Sequence, residues 1–286
     1  MARALTITSH PHHITFESFG VRVGVSANDT RVFERLHFLP PMQSRPCELA
    51  DVEHHVDITT RDGLRFNAKY DIHPDPVDKE MDPDEDIWVA GDADLELVLA
   101  TVEAHVHEAI ALNAPEHLFL RAGAVLHHGR ALVLPGEGLS GKSTLVAALV
   151  RAGATAYSDE YAVFDQNGRL QPYTKRSAAP VAAAATNGSG GAEPAAEVAP
   201  READAIVFTA YRPGAEWRPE SMSRGESMLA LLAHAPQGED RPKETMSAAS
   251  RVLEGDPLVV RSERGEAETV APLLLAQMDA ARSGAV

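Results

Sequence analysis

One short stretch sets the terms for the rest of this chain. Gly136, Gly141, Lys142 and Ser143 meet the spacing G-x-x-x-x-G-K-[ST] and stand between an apolar run and a helical one. Ala131, Leu132, Val133 and Leu134 leave no polar face and read as a buried parallel strand. Beyond the glycines, Leu145, Ala148, Leu149 and Ala152 share a helical face, and Gly153 is placed to cap the helix end. Strand, glycine loop and helix in this order make an anion cradle, because glycines let backbone N–H groups turn inward and the helix adds its positive end. The loop Gly136, Glu137, Gly138, Leu139, Ser140, Gly141, Lys142, Ser143 and Thr144 is therefore expected to bind ATP or another nucleoside triphosphate. Lys142 would reach the β- and γ-phosphates, and Ser143 would offer a hydroxyl to Mg²⁺.

A second polar feature follows at close spacing. Asp159 and Glu160 come 17 residues after Lys142, at the end of the next expected strand. In an α/β sheet, ligands gather at the carboxyl ends of parallel strands, so loop and acidic pair are expected to share a crevice. One carboxylate can hold Mg²⁺ beside Ser143, while Asp159 accepts the proton of an incoming hydroxyl. Arg121, Arg176 and Arg212 are candidates to neutralise phosphate charge.

With 286 residues the chain can bury a substantial core in two domains. Its net charge of −16 repels nucleic acid and anionic membranes, so phosphate must be drawn by a local positive pocket. The N-terminal residues lack the apolar core of a secretory signal and no segment reaches membrane-spanning length, from which a cytoplasmic location is expected. Cys47 is the only cysteine, which excludes an intrachain disulfide or a thiolate metal cluster.

Residues 1–90 alternate polar and apolar positions over short spans such as Val21 to Val25 and Val56 to Thr60, separated by breakers at Asn28-Asp29, Pro40-Pro41 and Asp62-Gly63. This predicts a small β-rich domain. Asp82, Asp84 and Asp86 begin like a calcium loop, but Ile87 and Ala93 stand where glycine and glutamate are needed, so a solvated loop is expected. From Asp94, the residues Leu95, Val98, Leu99, Val102, Val106 and Ile110 predict a helix opening a second domain over 91–286. Strands are expected over His117 to Val125, over Tyr157 to Phe164, and beyond the Asn167-Gly168 hairpin signal. Residues 178–200 are mostly Ala, Gly, Pro, Ser and Glu and predict a flexible insertion. A capping box at Ser223 and Glu226, a helix from Pro242 to Gly255, a strand at Leu258 to Val260 and a terminal helix around Leu273 to Met278 complete the chain.

Residues Leu118 to Tyr173 resemble the nucleotide domain of the HPr kinase/phosphorylase family. The matching points are Ala122-Gly123-Ala124-Val125, the passage from Leu134 to Leu145, Gly153, and Ser158-Asp159-Glu160. A looser similarity extends over residues 90–282 through Tyr211 to Gly214, the Ser223 helix and the Leu258 strand. The resemblance implies the α/β fold shared with phosphoenolpyruvate carboxykinases and transfer of phosphate from ATP, with Mg²⁺, to a serine-type hydroxyl. The chain departs from the family at Arg121, where a histidine is typical, and lacks the glycine-rich signature after the acidic strand. These departures weigh against the reverse phosphorylase reaction and against HPr as acceptor. The acceptor is expected to be a hydroxyl-bearing peptide, protein or small molecule, with homo-oligomer formation left open. A competing expectation is a regulatory module in which the nucleotide orders residues 178–200 and the N-terminal domain binds a partner.

Thirteen histidines raise a metal hypothesis. Adjacent pairs such as His12-His13, His54-His55 and His127-His128 are expected to point to opposite faces of a strand and not to chelate one ion without outside ligands.

Overall fold

The computed structural model describes residues 10, 12–72, 87–138, 140–158, 160–174 and 199–282. Leu139, Asp159, Arg176, the Asp82-Asp84-Asp86 run and residues 178–198 of the insertion lie outside the described residues. The chain divides at Pro115/Glu116 into two compact units, each a mixed α/β structure. Among the described residues no helix is long and apolar enough to cross a membrane.

The first unit contains β1 (His12–Ser18), β2 (Val21–Ala27), α1 (Thr30–Leu36), β3 (Arg45–Pro46), β4 (His54–Thr60), β5 (Phe66–Ile72), β6 (Ile87–Ala93) and α2 (Leu95–Asn113). Its six strands pair in the order β3-β1-β2-β4-β5-β6, antiparallel except for the β2/β4 pair. The helices α1 and α2 pack on this sheet. Asn28-Asp29 does not merely break a strand: the Asp29 carboxylate accepts from Arg31 N at 2.9 Å and caps α1, a helix too short to show a period in sequence. The helix assigned to the second domain instead belongs to the first unit. Val98, Leu99, Val102, Val106 and Ile110 are buried, and the helix packs on β2, β5 and β6, which moves the boundary from residue 90 to Pro115.

The second unit contains β7 (Leu118–His127), β8 (Arg130–Pro135), α3 (Lys142–Arg151), β9 (Thr155–Ser158), β10 (Tyr161–Phe164), β11 (Leu170–Gln171), β12 (Ala203–Tyr211), β13 (Glu220–Ser221), α4 (Arg224–Ala233), α5 (Pro242–Glu254), β14 (Leu258–Arg264) and α6 (Ala267–Arg282). The sheet order is β11-β10-β7-β8-β12-β14-β13, with β9 also paired to β7. β8, β12 and β14 are parallel; β7 runs antiparallel to β8, β9 and β10. Apolar side chains cover both faces, as a sheet between helical layers requires. Leu231, Ala249, Val252 and Leu253 of α4 and α5 pack on one side, while Leu145, Leu149, Leu274 and Leu275 of α3 and α6 pack on the other.

Several local expectations resolve into finer structure. The Ser223–Glu226 capping box is complete, with Ser223 N donating to Glu226 Oε2 at 2.9 Å. The run from Tyr157 to Phe164 is two strands on the same edge of β7 rather than one. The Asn167-Gly168 signal does close a hairpin, but the loop is longer than two residues because the Asp165 carboxylate gathers Asn167 N and Arg169 N at 2.8 and 2.9 Å. α6 begins at Ala267 and carries Pro272 within it, so it starts well before Leu273.

Gly123 of β7 lies directly under α3: a β-carbon there would stand 2.6 Å from Val146 Cγ2. Val146 is β-branched and stiff in a helix, so relief would have to come from moving α3, and with it the loop that feeds it. Gly123→Ala is predicted to destabilise the protein by roughly 1–3 kcal/mol through overpacking. Adding Val146→Ala should recover most of that loss. Urea melts of the single and double variants check this; equal midpoints for Gly123→Ala and wild type would refute the close-approach argument.

Candidate functional site

The glycine loop leaves β8 after Pro135 and enters α3 at Lys142. Gly141 is the N-cap of α3 with φ +81°, and a β-carbon there would lie 2.6 Å from Arg264 Nη2. The left-handed φ favours glycine, and a β-carbon would also displace the Arg264 guanidinium. Lys142 Nζ donates to Glu137 O at 2.6 Å, folding the side chain back over the loop. Ser143 and Thr144 are exposed in the first turn of α3. Ser140 Oγ is buried and has no hydrogen-bond partner among the described residues.

β7 brings the acidic segment to this loop. Ala122 pairs with Pro135 of β8, and Gly136 N donates to Arg121 O at 3.0 Å. On the other edge of β7, Ala122 N donates to Glu160 O at 3.1 Å. Glu160 is therefore level with the start of the loop and two strand spacings away, about 9–10 Å. Arg121 sits between them on β7, its guanidinium 5.9 Å from the Tyr161 ring centroid. Tyr161 is in turn locked edge-on against Phe119 and Tyr173. The structure thus brings Arg121, Lys142 and Glu160 near one another, with Glu160 just beyond the end of β9, the first strand after α3, and directly before β10. Arg212 does not join them, since its guanidinium pairs with Glu263 at 3.0 Å.

Charges in this cluster act on one another. Burial pushes the Lys142 ammonium below the ordinary lysine range; Glu137 opposes this, Arg121 reinforces it, and Glu160 opposes it more weakly. Arg264, only 2% exposed, stands at the C-terminal end of β14. Its Nη2 donates to Gly141 O at 2.8 Å, its Nη1 to Gly265 O at 3.1 Å, and its guanidinium lies 5.5 Å from the Tyr211 ring centroid. Burial holds this guanidinium below the usual arginine value. Sequence reading missed Arg264 because it took the strand to end at Val260. A charged residue closing a longer parallel strand was the available signal.

Beside the loop, between the C-terminal end of α4 and the start of α5, is a cavity of about 420 Å³ whose lining includes Arg121, Glu137, His234, Glu239, Pro242 and Met246. His234 Nδ1 lies 3.3 Å from Glu137 Oε1, and its ring stacks on Phe208. His234 O accepts from Arg121 N at 2.8 Å, tying the cavity wall to β7. Polar groups of both signs and an apolar floor suit a small organic ligand next to the loop.

The histidine pairs behave differently from one another. His12 stacks on Phe33, and His54 Nδ1 lies 2.6 Å from the Tyr70 hydroxyl in the first unit. His127 and His128 do not point to opposite faces. His128 has φ +49° in the β7–β8 turn, which breaks strand alternation and brings the two ring centroids to 3.9 Å.

The chain matches no protein-family model and no curated protein.

Burial pushes the His234 imidazole below the ordinary histidine range, Glu137 opposes that shift, and Lys142 adds to it. With the folded-state value below the unfolded one of about 6.5, the neutral ring's contribution to stability is complete above that pH and is lost as pH falls through the folded-state value. A residue-resolved NMR titration is predicted to give a His234 midpoint below about 6.5. Glu137→Gln should lower it further, because a charge favouring the imidazolium is gone. A midpoint that rises in Glu137→Gln would contradict this electrostatic account.

Proposed function

We propose that the chain is a Mg²⁺-dependent phosphotransferase that moves the terminal phosphate of ATP to a serine-type hydroxyl on a peptide, protein or small molecule. The observation that carries this reading is the register across β7: the glycine loop and Glu160 leave the sheet at the same level, with Arg121 between them and Lys142 in electrostatic reach of both. The resemblance of residues 118–173 to HPr kinase/phosphorylase nucleotide domains supports the same chemistry.

The loop fits a triphosphate. Gly141 opens α3 in the left-handed conformation, which suits N–H groups turned toward an anion, and the orphaned Ser140 hydroxyl provides a further donor. Lys142 would hold the β- and γ-phosphates. Ser143, Asp159 and Glu160 would supply hard oxygen donors to hold Mg²⁺, whose chemistry when bound is to neutralise charge on the phosphate oxygens. Asp159 would take the proton from the acceptor hydroxyl as that oxygen bonds to the γ-phosphorus and the bond to the β–γ bridging oxygen breaks, releasing ADP. Arg121 would balance charge on the transferred group. The cavity walled by Arg121, Glu137 and His234 is the candidate entry for the acceptor.

Lys142→Ala is predicted to lower phosphate transfer by roughly 10²–10³-fold, as expected for loss of one preorganised charged donor. Asp159→Asn, which leaves Ser143 and Glu160 to hold Mg²⁺, should lose transfer with a much smaller loss of Mg·ATP binding than Lys142→Ala. Labelled ATP with a panel of hydroxyl acceptors, read beside equilibrium nucleotide binding, checks both. Tight Mg·ATP binding without transfer to any acceptor over hours would instead favour a regulatory nucleotide switch, and absence of nucleotide binding would overturn both readings.

A further inference from the structure

The β7–β8 turn and the end of α6 place three ligating side chains together at the pole of the second unit away from the glycine loop, since β8 starts beside this turn and ends at the loop. His127 Nε2 lies 3.3 Å from Asp279 Oδ2, and His128 Nδ1 lies 3.0 Å from Asp279 Oδ1. One ligand atom from each of the three residues falls within 4.8 Å of the others. Ligands of a tetrahedral ion bound at 2.0–2.1 Å sit about 3.3 Å apart, so each nitrogen lies at ligand spacing from one oxygen of Asp279, and a rotation of that carboxylate would bring a single oxygen to both.

Two further observations set this cluster apart from a surface ion pair. His127 is 8% exposed, and its Nδ1 is buried with no hydrogen-bond partner among the described residues. The nitrogen that faces Asp279 is the other one, Nε2, so burial of the ring fixes its ligating atom toward the carboxylate. The turn residues His128 and Gly129 both have positive φ, +49° and +81°. A two-residue turn of that kind favours Asn-Gly, because a short amide side chain tolerates the left-handed region better than an imidazole. On folding grounds alone asparagine would suit position 128 better, and histidine there supplies a second ring nitrogen to Asp279. The site is also anchored: Arg130 Nη1 donates to Met278 O at 2.6 Å and Arg130 Nε pairs with Asp204 at 2.9 Å, which holds the turn against α6.

We propose that His127, His128 and Asp279 bind a divalent transition-metal ion of the Zn²⁺, Co²⁺ or Ni²⁺ class, clipping the β7–β8 turn to α6. Two imidazole nitrogens and one carboxylate oxygen form a borderline donor set that suits these ions and not Mg²⁺, so this site is chemically separate from the oxygen set near the glycine loop. Three protein ligands leave a position for water.

The test is a titration of the untagged full-length chain with Co²⁺, followed by its visible absorption, with melting curves in the presence of EDTA or Zn²⁺. Wild type should bind one ion, develop ligand-field bands of nitrogen–oxygen coordination, and melt several degrees higher with Zn²⁺. Asp279→Asn and His128→Asn should each weaken Co²⁺ binding by at least about tenfold and remove the metal-dependent rise in melting temperature. His128→Asn keeps a turn-compatible residue, so its melting temperature in EDTA should equal or exceed that of wild type, which separates ligand loss from misfolding. Failure of wild type to bind at sub-millimolar Co²⁺, or binding that both variants retain, would overturn the proposal.

Discussion

Hydrogen bonding along β7 is the constraint on which the candidate site depends. This strand pairs with β8 on one edge and with β9 and β10 on the other, and backbone ladders permit little slip when both faces of a sheet are buried. Ala122 faces Pro135 across one ladder and donates its N–H to Glu160 across the other, so the two chain segments that carry the site chemistry are brought level by backbone alone. The same strand carries Arg121 into the gap and, two residues on, a glycine that lets α3 approach. One strand therefore sets the height of the loop, the position of the helix behind it and the level of the acidic segment.

A chain with net charge −16 must concentrate positive potential locally to attract an anion. Lys142, Arg121 and Arg264 supply it, and each is held by the protein backbone or an aromatic ring: Lys142 by Glu137 O, Arg121 beside Tyr161, and Arg264 by Gly141 O over Tyr211. Burial disfavours the charged forms of Lys142 and Arg264 and pushes both below their ordinary values. An incoming anion would offset that cost. Placing Arg264 against the N-cap of α3 also couples the end of β14 to the loop, so two parallel strands converge on one helix terminus.

The signals that are legible in the sequence are local ones. The loop, the capping box and the buried strand before the loop were legible because each is written in a few adjacent residues whose chemistry dictates their conformation. The helix over Leu95–Asn113 was equally legible as a helix, yet its partner was not, since an amphipathic face announces burial without naming the sheet that covers it. Arg264 escaped because the strand was taken to end at Val260; the parallel pairing of the full β14 with β12 carries it to Gly141, 123 residues earlier. The two histidines at the β7–β8 turn were expected to diverge because alternation was assumed to continue through His128, where the turn reverses the sign of φ.

The sequence by itself determined the strand before the loop, the helix after it and the chemical types of the side chains they carry. Periodicity, capping and glycine placement act over a few residues, so they survive without knowledge of the partner. Tertiary structure alone decided which other distant residues meet: Arg264 on Gly141, and Asp279 beside His127 and His128. Those contacts come from strand order and layer packing, in which many weak and nonlocal terms compete, and no residue in the chain encodes its long-range neighbour.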